Sequence, residues 1–151
     1  MLLARYGSGL TDRLSSMFAE AGLPFSPDLD RVPNSHRAQA LAELARDRGL
    51  HRELHPRLFD AYWARGLDLG DDEVLVREGR AVGLEEDAVR AALRDQAMVD
   101  RIAEQTTAAL ELGAAGVPAW LIDERALVPG AQPHEVFETV LERLGHQPVA
   151  V

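Results

Sequence analysis

A chain of 151 residues with 46% hydrophobic and 27% charged side chains has the balance of a globular domain and can bury roughly two thirds of the surface its unfolded form exposes. Its net charge of -9, with all 16 basic residues arginine and scattered among acids, repels phosphate backbones and argues against a nucleic-acid partner. It holds no cysteine, which excludes disulfide scaffolds, thiolate zinc sites and thiol nucleophiles within the chain.

From the N-terminus, Met1-Leu2-Leu3-Ala4-Arg5 lacks the apolar core of a secretory signal, and no later run has the length of a bilayer span. No membrane partner is expected, and the default location is cytoplasmic. Gly7-Ser8-Gly9 has neither the preceding strand nor the third glycine of a phosphate loop and reads as a flexible lead-in. Leu14, Met17, Phe18 and Ala21 are spaced as one face of a helix, and Gly22 to Pro33, with three prolines, reads as a loop. Ser35 is placed to cap a helix carrying Ala38, Leu41, Leu44 and Ala45 on one face, with Gly49 as a left-handed stop. His51-Arg52-Glu53-Leu54-His55 sets two histidines one helical turn apart, a spacing able to clasp a metal. Glu53, however, fits neither zinc-protease order and Pro56 follows at once, so a solvated helix start is expected here and no metal ligand is assigned.

The next helix brings Leu58, Phe59, Tyr62 and Trp63 together before Gly66, the densest aromatic cluster in the chain. A further helix after Asp71 and Asp72 carries Val74, Leu75 and Val82 before Gly83. Its successor has Glu85, Glu86 and Asp87 at its start, where acids suit the helix dipole, and Ala88, Ala92 and Leu93 as its apolar face. A longer helix with Val99, Ile102, Ala103, Thr106 and Leu110 stops at Gly113. The stops at Gly49, Gly66 and Gly83 are evenly spaced and each precedes a leucine, but the intervening segments share no other pattern, as in a bundle of similar helices rather than a repeat.

Beyond Gly113 the period becomes strand-like. Trp120-Leu121-Ile122, a turn at Asp123-Glu124-Arg125, and Ala126-Leu127-Val128 predict a hairpin ended by Pro129 and Gly130. Pro133 suits the first position of a last helix, with Val136, Phe137, Val140, Leu141 and Leu144 on its buried face and Gly145 behind it. The last six residues are expected to fray. This gives a helical part over residues 1–113, a ββα part over 114–145 and a tail over 146–151.

The run Gly116-Val117-Pro118-Ala119-Trp120-Leu121-Ile122-Asp123, together with the later Gly130-Ala131-Gln132-Pro133, resembles the DsbA-like branch of the thioredoxin fold, specifically the FrnE-type oxidoreductases. Asn34-Ser35-His36-Arg37-Ala38, Leu58-Phe59-Asp60-Ala61-Tyr62 and Val82-Gly83-Leu84 look like that family's helical insertion, so the likeness runs from about Leu3 to Gly145. The resemblance implies an α/β thioredoxin-like fold in descent, mostly helical here, with one C-terminal hairpin followed by a helix. The family's Cys-x-x-Cys unit does not occur, so the chain looks like the later part of such a protein.

The resemblance implies protein disulfide exchange as the family activity, with an extended peptide or a small thiol as substrate. Thiol exchange needs a thiolate of lowered pKa and a second thiol to resolve the mixed disulfide. With neither present, no catalytic residue and no cofactor is assigned. By resemblance Val117 precedes a cis proline, Pro118, and offers its backbone to an extended substrate. Gly130, Ala131 and Gln132 open the last helix, where free N–H groups can hold a carboxylate or serve an ordinary helix start with Gln132 as cap. Trp63, beside Tyr62, lines a substrate groove or packs. Asn34, with His36 and Arg37, approaches the site in relatives or simply starts a helix. Two further readings stay open: a glutathione-dependent isomerase or transferase on the same architecture, and a non-enzymatic helical binding module. A hairpin edge without neighbouring strands is also a place for self-association.

Overall fold

The computed structural model of the chain describes residues 9–26 and 32–147. The start of the chain with Gly7-Ser8, part of the Gly22 to Pro33 loop, and the end of the expected tail lie outside them. Two compact units divide the chain, Met1–Ile102 and Ala103–Val151.

The first unit is helical. It holds α1 (Gly9–Glu20), α2 (His36–Asp47), α3 (His51–Phe59), a π-helical turn (Asp60–Ala64), α4 (Asp72–Arg80), α5 (Glu86–Ala92) and the first part of α6 (Gln96–Glu111). Helical spacing places Ala38, Leu41, Leu44 and Ala45 of α2 on one buried face, where they meet Leu54 and Leu58 of α3, Leu75 and Val76 of α4, and Val89 and Ala92 of α5. Each leucine or valine removed from water here contributes on the order of 1.5–3 kcal/mol. Gly79, inside α4, allows the close approach: a Cβ there would lie 2.9 Å from Val89 Cγ2 and 3.3 Å from Leu41 Cδ1.

Helix ends obey local chemistry. Gly49, Gly66, Gly83 and Gly113 all take positive φ, which glycine adopts without a Cβ penalty. Asp71 caps α4, its side chain accepting from Glu73 N–H at 2.8 Å. Ser35 occupies the N-cap of α2 but makes no side-chain cap bond. Asn34 does the capping, Oδ1 accepting from His36 N–H at 3.0 Å, because Ser35 has helical φ and ψ that turn its hydroxyl from the helix start. On α5 the buried face includes Val89, fully buried, with Ala88 only partly covered. The expected stripe of α6 is buried at Ile102 alone, and Leu110 is exposed.

The expected gathering of Leu58, Phe59, Tyr62 and Trp63 is divided. Pro56 lies inside α3 and removes one backbone donor, and the chain then widens into the π turn, whose extra residue rotates the later side chains about the axis. Phe59 is left exposed against His55, ring centroids 4.9 Å apart. Trp63 instead packs on Phe18 of α1 and on Phe25, at 5.4 and 6.3 Å.

Glu78 of α4 is a buried charge in this unit, 0% exposed. Arg57 Nη2 donates to its Oε2 at 3.0 Å and Arg65 Nη1 to its Oε1 at 2.9 Å. Burial pushes the carboxyl up, but the hydrogen bonds and charges of Arg65 and Arg57 outweigh that and hold it below its usual value. A second charged group joins α2 to α6: Arg101 Nη1 lies 3.4 Å from Glu43 Oε2 and 3.3 Å from Asp47 Oδ2.

The second unit contains the rest of α6, β1 (Ala119–Ile122), β2 (Ala126–Pro129) and α7 (His134–Leu144). The strands pair antiparallel, Ala119 opposite Pro129 and Ile122 opposite Ala126. Asp123 and Glu124 take φ of 52° and 55° in the connecting turn, which Arg125 N–H closes onto the Ile122 carbonyl at 3.0 Å. The last helix starts one residue later than expected, with Pro133 as N-cap. Its apolar face is only half-buried, and Leu141 is exposed, because a two-stranded hairpin offers too little surface to cover it. His146, expected in a frayed tail, bonds Asp123 Oδ2 at 2.6 Å and so ties the chain beyond α7 to the hairpin turn.

Candidate functional site

The candidate site is the open end of the hairpin. Gly113, at φ 89°, stops α6, and the segment beyond it delivers Val117 as the most exposed large apolar residue of the described chain, 97% accessible. The Val117–Pro118 peptide bond is cis. The Pro118 carbonyl accepts from Gly130 N–H at 2.8 Å, extending the ladder one step beyond the Ala119–Pro129 pair. Pro129 has no N–H to give. Among the described residues no backbone hydrogen bond engages the N–H or the carbonyl of Val117, so both face water with an apolar side chain between them.

Gln132 folds back on the same corner, Nε2 donating to the Pro129 carbonyl at 2.7 Å. Gly130 takes φ 79° and turns the chain toward α7. Gly130, Ala131 and Gln132 therefore form the loop ahead of α7 rather than its first turn, and Gln132 does not cap it; its amide is spent on closing the loop. Ala131 is exposed. Trp120, half-exposed on β1, meets Phe137 of α7 edge-on with centroids 5.6 Å apart. The β1–β2 pair is a sheet of two strands, which leaves the outer edge of β1 without a strand partner among the described residues.

The structure thus brings together Val117, Pro118, Gly130 and Gln132, with Ala131 between the last two. Asn34 and Trp63 belong to the first unit, where Asn34 caps α2 and Trp63 packs on aromatic rings. Beside Trp63, burial and then Asp68 push the Tyr62 hydroxyl up, so it stays a neutral donor. Pro129 and Trp120 are site residues that sequence reasoning misses. The signal for Pro129 is available, since a proline opposite Ala119 must end a ladder, whereas the exposure of Trp120 depends on what does not cover it. Among the described residues no group of three or more His, Asp or Glu is arranged to hold a metal ion. What the corner offers chemically is one backbone donor, one backbone acceptor and apolar surface, the means to hold an extended chain.

A hairpin closed in this way and succeeded by a helix, in a chain that also carries a helical unit, is the arrangement of a thioredoxin-like protein with a helical insertion. A family model of the DSBA-like thioredoxin domain matches residues 3–142, and the chain belongs to that family. Among solved structures, a probable DsbA oxidoreductase from Streptomyces coelicolor is similar at 31% identity and a TM-score of 0.80, the match covering 100% of this chain and 69% of that one. No functionally curated protein matches the chain. No helix of the described residues is long and apolar enough to cross a membrane.

Proposed function

We propose that this chain provides the substrate-holding part of thiol-disulfide exchange, with the exchanging thiols coming from outside its 151 cysteine-free residues. The observation that carries this reading is Val117, almost wholly accessible, with neither backbone group engaged in a backbone hydrogen bond among the described residues. An extended peptide, or the peptide-like backbone of a small thiol, adds to Val117 as a short strand, giving and taking one hydrogen bond each. The finer placement in the FrnE-type branch rests on the order of Gly116-Val117-Pro118 and Gly130-Ala131-Gln132-Pro133 and on the helical text from Asn34 to Leu84. The free outer edge of β1, carrying exposed Trp120 and Leu121, is also where we place self-association when no substrate covers it.

The test is an amide NMR titration of the chain with an unfolded, cysteine-containing peptide and, separately, with glutathione. Shifts confined to Gly116, Val117, Ala119 and Gly130, weakened in Val117→Pro and retained in Val117→Thr, support the reading. Shifts elsewhere with these four unmoved would remove it.

A further inference from the structure

The corner between α2 and α3 contains a contact that requires an uncharged imidazole. A guanidinium has only donors to offer. Arg46 Nη2 lies 3.4 Å from His51 Nε2, so the contact exists while that nitrogen is an acceptor, with the imidazole neutral and its proton on Nδ1. The His55 ring stacks against His51, centroids 5.0 Å apart. Arg46 also holds the carboxylate of Glu43, which is 6% exposed and receives Arg101 of α6.

The charged and titratable groups that act on His51 are Arg46 and Glu43 from α2 and His55 from its own helix, and Arg101 of α6 reaches Glu43 and Asp47 beyond them. Burial, then the Arg46 charge, then His55 hold the imidazole below 6.5, against the opposing pull of Glu43. These groups form a chain of dependence. Arg101 is shared between Asp47 and Glu43, Glu43 is shared with Arg46, and Arg46 leans on a neutral His51.

We propose that His51 is an acid-operated release for the anchorage of α6 on α2. A proton arriving at Nε2 takes away the acceptor that Arg46 uses and places two cations side by side. The new imidazolium also competes for the Glu43 carboxylate. Arg101 is then left chiefly with Asp47, a pair at the surface that holds weakly. The hydrophobic contacts of α2 with α3, α4 and α5 involve none of these groups and stay closed.

The experiment tracks the His51 ring by NMR across a pH titration of the full chain and, in parallel, amide exchange from Val99 to Ile102, corrected for intrinsic rates. The expected result is a His51 midpoint below 6.5 and a several-fold loss of protection in those α6 amides between about pH 7.5 and pH 5, with the amides of Leu41 to Ala45 unchanged. In His51→Gln the loss disappears. In Arg46→Gln, which removes the cation that a charged His51 repels, the His51 midpoint rises and the pH-dependent loss shrinks, a readout that stands even if the first variant does not fold. Loss of protection that persists in His51→Gln, that is undiminished in Arg46→Gln, or that never occurs in the natural chain overturns the proposal.

Discussion

Taking a carboxylate out of water costs several kcal/mol, and at Glu78 two half-exposed arginines, Arg57 and Arg65, offset that cost with direct hydrogen bonds. Glu78→Gln keeps the shape and removes the charge, leaving Arg57 and Arg65 facing each other across a neutral amide. We expect it to destabilise the helical unit by about 3 kcal/mol, measured by urea unfolding, and Glu78→Asp to fall short of both arginines and lose nearly as much. The sign of the pH effect is set by the direction of the shift. The folded carboxyl titrates below its usual 4.5, so its contribution is complete above 4.5 and fades as pH falls through the folded value. Acid unfolding of the natural chain should steepen below that point, and Glu78→Gln should flatten it; equal slopes in the two would show that Glu78 does not carry the effect.

At the scale of elements, α4 sits against α2 and α5 because Gly79 has no side chain. Gly79→Ala would gain roughly 1 kcal/mol in helix propensity but drive a methyl against the buried Val89 and Leu41, an overpacking cost of about 1–3 kcal/mol. We expect net destabilisation, read as a lowered thermal midpoint; a midpoint raised by the substitution would mean that α4 and α5 have room to part. The helices themselves are legible in the sequence because Leu41, Leu44, Val74 and Leu75 recur at helical spacing and Gly49, Gly66, Gly83 and Gly113 mark their ends. The hairpin is legible because Trp120 to Ile122 and Ala126 to Val128 flank a polar turn. The remainder is set by contacts between elements. Glu78 looks like any surface acid of α4 until Arg57 and Arg65 arrive from α3 and the segment beyond it. The division of Phe59 from Trp63 depends on a π turn that no spacing announces. The corner at Val117, Pro118 and Gly130 is found through resemblance, whereas the role of Gln132 in closing its loop needs the fold.

The whole molecule pairs a well-covered helical unit with a lightly covered ββα unit, in which α7 has no buried residue and the sheet has two strands among the described residues. Such a hairpin is marginal in water by itself. Hydrogen exchange should therefore find the amides of β1, β2 and α7 less protected than those of α2 to α5, and light scattering should find association that grows with concentration. A monomer with equally protected hairpin and helices would count against a free β1 edge. Without a thiol the chain should show no insulin reduction and no dithiol oxidation on its own, and turnover by the purified chain would refute the chemical assignment. The two tryptophans are divided between the units: Trp63 lies half-buried among Phe18 and Phe25 in the first, and Trp120 is 51% exposed beside Phe137 in the second. Each unit thus carries its own intrinsic fluorophore, with bluer emission expected from Trp63 and redder from Trp120. Trp63→Phe and Trp120→Phe each leave a single tryptophan, so with excitation selective for tryptophan over the two tyrosines the denaturation of either unit can be monitored optically without attaching a label.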